Sequence, residues 1–232
     1  MIRDAVEVLK EIGPSFKLEP FASIIQPIIE QVLNEHSKSK FRKGTILTPQ
    51  LMVWFVLALT LRRDINYPKI LNWLISAFRW LHLDFPTQIV ADGAITRARI
   101  KLGVDVFRCI FNRFISSFKD TIKPDFYQWK TVIFDGVAMS MPDTKSNVKK
   151  FGKHKSGRGS GAFPQLRAMA LMTLLTRRVL DLSYAPIKGK KTGEKTLMLK
   201  ILKRCKATNF LFLFDAGFYS FFFSMVLGSK WP

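Results

Sequence analysis

Apolar positions recur every three or four residues through the first half of the chain and gather into short unbroken runs in the second half. From Phe21 to Glu35, the residues Ile24, Ile25, Ile28, Ile29, Val32 and Leu33 share one face, which predicts an amphipathic helix. Thr48-Pro49 supplies a capping hydroxyl and a first-turn proline. The helix they open runs through Leu51, Trp54, Phe55 and Leu57 to Arg62-Arg63. The apolar run Leu51 to Leu61 is about half the length that crosses a bilayer, so a buried core helix is expected. A third helix is predicted over Tyr67 to Leu81, with Leu71, Leu74, Ile75 and Phe78 inward. A segment from Gln88 to Leu102 carries Arg97, Arg99 and Lys101, and a further helix is predicted from Val104 to Phe118 through Val106, Ile110, Phe111, Phe114 and Ile115. Trp54, Trp73 and Trp80 are expected in the core, and no heptad repeat extends far enough for a coiled coil.

The periodicity changes after Thr121–Gln128, where Pro124 ends the helical pattern. Thr131 to Phe134 is a β-branched and aromatic run that predicts a buried strand, with Asp135 at its end and Gly136 after it. Lys145 to Gly161 is lysine-rich and glycine-rich and predicts a loop. Gln165–Leu175 and Val179–Pro186 flank the basic turn Thr176-Arg177-Arg178 and predict an antiparallel hairpin. Thr192-Gly-Glu194 opens a helix through Leu197, Leu199, Ile201 and Leu202, and Phe210–Phe214 repeats the first pattern, a strand ending in Asp215. Phe210 to Leu227 approaches the roughly 20 residues of a membrane span, but Asp215 and Gly217-Phe-Tyr-Ser220 favour a strand, a turn and a helix. The expected class is α+β: an all-helical domain over 1–124, then a mixed α/β core over 125–232.

Composition narrows the function. With 48% hydrophobic and 13% aromatic residues in 232, the chain is no disordered tail. Cys109 and Cys205 form neither a CxxC nor a disulfide framework and suit a reducing cytoplasm. The amino terminus, Met1-Ile-Arg-Asp-Ala-Val-Glu, lacks the apolar core of a signal peptide. His36, His82 and His154 are scattered, and Gly152, Gly157, Gly159 and Gly161 do not fit a phosphate-loop pattern. The formal charge of +20 points to a polyanion. Its distribution is sharper still: Lys145 to Lys206 holds 17 Lys and Arg against Asp181 and Glu194. Contact with a phosphate backbone is sequence-blind and driven by counterion release, which clustered cations supply. Lys145, Lys149, Lys150, Lys153, Lys155, Arg158, Arg167, Lys190 and Lys191 are the candidate DNA contacts.

Asp135 alone reads as a turn residue; the repeat of its setting at Asp215 changes that. If the two strands pair in parallel, both carboxylates reach the same sheet edge. Two close carboxylates share a cation or a proton, and at neutral pH a hard divalent ion with oxygen ligands satisfies them. Mg²⁺ or Mn²⁺ held in a two-metal arrangement suits phosphodiester cleavage. Asp135 and Asp215 are therefore the candidate catalytic and metal-binding residues.

These blocks also resemble the Asp-Asp-Glu transposases of the insertion element 4 group. The likeness is carried by Asp135-Gly136, Pro142-Asp143-Thr144, Asn147, Phe151-Gly152, Gly161-Ala-Phe-Pro-Gln165-Leu-Arg167, Thr192-Gly-Glu194 and Asp215-Ala-Gly-Phe-Tyr-Ser220. In the helical half it includes Leu51–Leu61, Arg63-Asp64-Ile-Asn-Tyr67 and Ala98-Arg99-Ile-Lys-Leu-Gly103. The resemblance implies a ribonuclease-H-like catalytic core and a helical domain that engages transposon ends. It also implies double-stranded DNA partners (terminal inverted repeats and target DNA), a bacterial cytoplasmic, nucleoid-associated location without membrane attachment, and a homodimeric synaptic complex as one assembly. Asp135 and Asp215 match the first two carboxylates of the family. The third, a glutamate beyond Asp215, has no counterpart, since no Asp or Glu follows Asp215. This departure implies a C-terminally truncated copy with a partial core, open hydrophobic strands and incomplete catalysis. A catalytically inactive remnant that binds transposon ends is the alternative, and a membrane-associated protein using Phe210–Leu227 is a third.

Overall fold

The computed structural model describes residues 19–38, 40–41, 45–62, 65–80, 90–118, 121–156, 159–205 and 209–218. They form seven α-helices and five strands, and the chain divides into two compact units, Met1–Ser116 and Ser117–Pro232. A helical first part followed by a mixed sheet is the expected α+β class.

In the first unit, helices α1 (Glu19–Glu35), α2 (Pro49–Leu61), α3 (Tyr67–Trp80), α4 (Asp92–Leu102) and α5 (Val104–Phe118) follow one another. Helix α2 starts where Thr48 accepts the Leu51 N–H on its hydroxyl at 3.2 Å, with Pro49 in the first turn. Leu51, Met52, Val53, Trp54, Phe55 and Ala58 are all buried, so α2 is the predicted core helix. Ile29, Val32, Leu33, Leu71, Leu74, Phe78, Ile95 and Val106 pack with it into one cluster. The indole N–H of Trp54 donates to Gln26 Oε1 at 2.8 Å, which satisfies its polar atom at the core boundary. Trp73 is only partly buried. Arg99 donates to the Tyr67 hydroxyl at 2.9 Å, tying α4 to the start of α3. Helix α4 falls within the segment Gln88–Leu102, and residues 81–89 lie outside the described residues. No described helix is long and apolar enough to cross a membrane, and the stretch after Phe218 lies outside the described residues.

The second unit is built on β1 (Lys130–Ser140), then α6 (Lys145–Phe151), β2 (Lys153–Ser156), β3 (Gly159–Thr173), β4 (Val179–Pro186), α7 (Glu194–Arg204) and β5 (Phe210–Leu213). The sheet is mixed, in the order β2-β3-β1-β5, with β4 also on β3. The antiparallel hairpin predicted around Thr176-Arg177-Arg178 is present as β3 and β4. Helix α7 packs on β3 and β4 and closes a second core of Val132, Phe134, Met169, Leu171, Leu197, Met198, Ile201 and Leu202. Phe134 stacks on Phe212 and Phe214 at centroid distances of 6.0 and 5.4 Å, locking β5 to β1.

Two expectations change. Strand β1 does not end at Asp135; it continues to Ser140, paired residue for residue with β3 from Val132↔Thr173 to Ser140↔Gln165. Gly136 is thus a strand residue, not a turn residue, and its missing side chain makes room for the Met169 methyl and the Glu194 carboxylate. The segment from Lys145 to Gly161 is not a plain loop: it contains α6 and β2. Thr144 caps α6 by accepting the Asn147 N–H at 3.2 Å, and Asn147 donates from its side chain to the Pro142 carbonyl at 3.0 Å. Gly152 closes the helix at φ 73°, where a Cβ would stand 2.5 Å from the Lys188 Cβ.

Candidate metal and nucleic-acid site

Lys130, Thr131, Val132 and Ile133 of β1 pair in parallel with Phe210, Leu211, Phe212 and Leu213 of β5. Asp135 and Asp215 each lie two residues past the last of these pairs, so the register brings them level at the end of the parallel ladder. Among the described residues, β5 stops at that point and β1 runs on with β3 alone. Among the described residues that stretch of the β1 edge has no partner, and both aspartates are exposed. Asp215 is oriented by the turn that follows: its carboxylate accepts the Gly217 N–H at 3.3 Å, and its carbonyl accepts the Phe218 N–H at 2.9 Å. Phe218 is buried against the α7 core, which anchors the turn.

The donor set is two exposed carboxylates, oxygen ligands of the kind a hard divalent cation takes, and Mg²⁺ is commonly held by one or two carboxylates with water and phosphate completing the shell. Among the described residues no three His, Cys, Asp or Glu side chains gather into a metal-holding group. Glu194 is the next acid in this region, yet it serves elsewhere. Successive strand residues face opposite sides, and the Glu194 carboxyl carbon lies 3.3 Å from where a Gly136 Cβ would stand. Glu194 is therefore on the α7 side, away from the Asp135 side chain, with its Oε1 3.7 Å from Arg167 Nε. Sequence reasoning missed this contact; the signal was the glycine directly after Asp135.

The predicted DNA contacts fall into three groups. Lys145, Lys149 and Lys150 stand exposed on α6, and Lys190 and Lys191 are exposed in the turn before α7. These five offer a solvent-facing cationic surface. Lys153 and Arg167 are half-buried and engaged: Lys153 binds Asp143 at 3.0 Å, and Arg167 holds Glu194 and donates to the Thr192 carbonyl at 3.4 Å. Lys155 lies in β2, and Arg158 lies outside the described residues. Backbone bonds tie the end of α6 to its neighbours, with Gln165 N–H donating to the Gly152 carbonyl at 3.0 Å and Lys188 N–H to the Phe151 carbonyl at 3.4 Å. The lysines of α6 are thereby presented from a fixed platform.

No curated protein and no solved structure matches the chain. Residues 16–112 match the family model of the insertion element 4 transposase N-terminal domain, a span that takes in α1 to α4 and most of α5. Over that span the helical unit is similar to the insertion element 4 transposase N-terminal domain, and the match supports kinship with that transposase family through this part of the chain.

Proposed function

We propose that the chain binds transposon-end DNA and that its second unit is a ribonuclease-H-like core whose Asp135 and Asp215 hold the divalent metal of an Asp-Asp-Glu strand-cleavage and strand-transfer site. The observation that carries this reading is the parallel β1–β5 register, which levels the two carboxylates at one open strand edge. In this reading Asp135 is held rigidly by the β1–β3 ladder, and Asp215 is held by its 3₁₀ turn. The lysines of α6 and of the turn before α7 bind backbone phosphates and fix the duplex in position, without reading its sequence. Mg²⁺ or Mn²⁺, when bound, would supply Lewis-acid stabilisation of the charge that develops at the scissile phosphate. Target DNA is the second duplex, a homodimer is the synaptic assembly, and the bacterial nucleoid is the place of action.

A second reading, end binding without cleavage, has one observation in its favour: Glu194, the nearby acid, is committed to Arg167 on the other side of the strand. One experiment separates the two. Full-length protein is incubated with a duplex carrying the terminal inverted repeat of its own element, with and without Mg²⁺. A gel shift together with Mg²⁺-dependent nicking, lost in Asp135→Asn and Asp215→Asn, supports the first reading. A gel shift with no nicking under any condition supports the second.

A further inference from the structure

At the far end of β1 from Asp135, the second unit holds a cavity of about 250 Å³ that no part of the metal-site reading uses. It lies where Thr121–Asp125 meet the start of β1 and the β3–β4 turn. From Thr131 to Asp135 is four residues of strand, or about 13 Å, so the two sites are separate. Three cations line the cavity, Lys123, Lys130 and Arg178, against one carboxylate, Asp125. That carboxylate is already occupied, accepting the Thr131 N–H at 2.6 Å. None of the ion pairs among the described residues uses the three cations.

The hydroxyls tell the same story. Thr173 and Thr176 share one hydrogen bond at 2.6 Å, and Thr173 Oγ1 accepts the Arg178 N–H at 3.0 Å. Two hydroxyls own two protons, and their mutual contact uses one, so one donor is left for a ligand. Thr121 Oγ1 accepts from Arg178 Nη1 at 2.9 Å, which fixes the guanidinium at the cavity wall and leaves its other N–H groups to donate. Thr131, also in the lining, is 5% exposed, and its hydroxyl makes no hydrogen bond with any described residue. A buried hydroxyl without a partner is costly and marks a place where something else supplies one. Donors and cations around a space smaller than a typical drug site suit a small oxyanion.

A further feature beside the cavity indicates where that oxyanion comes from. Two residues beyond Asp125, Tyr127 is 84% exposed at φ 52°, a backbone conformation that bulky residues rarely adopt. It is held there by a tight bridge, with Phe126 N–H to the Trp129 carbonyl at 3.2 Å and Trp129 N–H to the Phe126 carbonyl at 2.9 Å. Tyr127 meets the ring of Phe126, itself 53% exposed, edge-on at 4.9 Å. Exposed aromatic faces on a backbone bridge adjoining, in sequence, the lining of a cationic cavity suit strand binding by base stacking.

We propose that this cavity is an oxyanion site that takes a phosphate group, and that its source is a phosphodiester of a nucleic-acid strand with a base against Phe126–Tyr127. The phosphodiester source rests on the DNA-binding reading above; the oxyanion site does not. The test uses the full chain. Inorganic phosphate is titrated by calorimetry, and affinity for single-stranded and duplex DNA is measured across a salt series, for wild type, Lys123→Gln, Lys130→Gln/Arg178→Gln, Tyr127→Ala and Lys149→Gln/Lys150→Gln. Lys123 is exposed, so its substitution leaves folding intact. Expected is phosphate binding that each cavity variant weakens at least about threefold, a salt slope of DNA binding that falls by about 1 per cation removed, and a loss of single-strand affinity in Tyr127→Ala. Phosphate binding that the cavity variants lose, with DNA binding unchanged, keeps the site and replaces its source by free phosphate. If cavity variants alter neither titration while Lys149→Gln/Lys150→Gln weakens DNA, the cavity proposal falls and the DNA-binding reading stands. Wild type that takes up neither phosphate nor DNA overturns both.

Discussion

The two glycines that shape the candidate site do so for different physical reasons, and substitution separates them. At Gly136 the backbone is ordinary strand, and a Cβ would meet the ends of two side chains, the Met169 methyl at 3.2 Å and the Glu194 carboxyl carbon at 3.3 Å. Both are the far ends of flexible side chains, so Gly136→Ala is expected to cost about 1 kcal/mol by denaturant unfolding, within the usual range for mild overpacking. At Gly152 the backbone is left-handed, and the added Cβ would stand 2.5 Å from the Lys188 Cβ, an atom fixed to the main chain. Gly152→Ala is expected to cost about 3 kcal/mol, combining the conformational penalty with the clash. The same measurement on both variants checks the contrast. By comparison, the Arg167–Glu194 pair is half exposed and spans 3.7 Å. Arg167→Gln is expected to change stability by less than about 1 kcal/mol.

At the scale of elements, the cap of α2 and the lysine face of α6 give two further tests. Thr48→Ala removes the acceptor for the Leu51 N–H and is expected to lower the stability of the first unit by about 1 kcal/mol, read from its thermal transition. Lys149→Gln/Lys150→Gln is expected to leave stability unchanged and to reduce the salt slope of DNA binding by about 2, one unit for each phosphate contact. The elements themselves were unevenly legible in the sequence. Helix α2 and the two strands that lead to Asp135 and Asp215 could be read directly, from a long apolar run with a Thr-Pro start and two β-rich runs before aspartate, whereas their parallel pairing was only a condition of the reading. Helix α6 and β2 could not, since Lys145–Phe151 contains no buried residue and Lys145–Ser156 has no apolar period. What folds it is local: a threonine cap, an asparagine side chain on a proline carbonyl, and a left-handed glycine. The continuation of β1 past Asp135 was hidden for a related reason. Asp-Gly signals a turn when read alone, whereas here the β3 ladder and the space taken by Glu194 hold it extended.

At the scale of the whole molecule, the likeness to insertion element 4 transposases rests on the helical unit, and the proposed chemistry rests on the sheet unit. The charge asymmetry connects the two: most of the +20 sits in the segment between the two aspartates, so the acidic pair is flanked by cations on the chain that runs between its members. On the proposed reading, that arrangement draws a polyanion toward the aspartate pair and sets a metal-dependent nucleic-acid site apart from a general DNA-binding surface. The most direct test is Mn²⁺ binding, followed by electron paramagnetic resonance, in full-length protein bound to a duplex carrying its own terminal inverted repeat, for wild type, Asp135→Asn and Asp215→Asn. The account predicts bound Mn²⁺ in wild type, affinity reduced at least about tenfold by either substitution, and retention of the duplex by all three proteins. Equal Mn²⁺ binding in all three would contradict the assignment of Asp135 and Asp215 as the metal-holding pair.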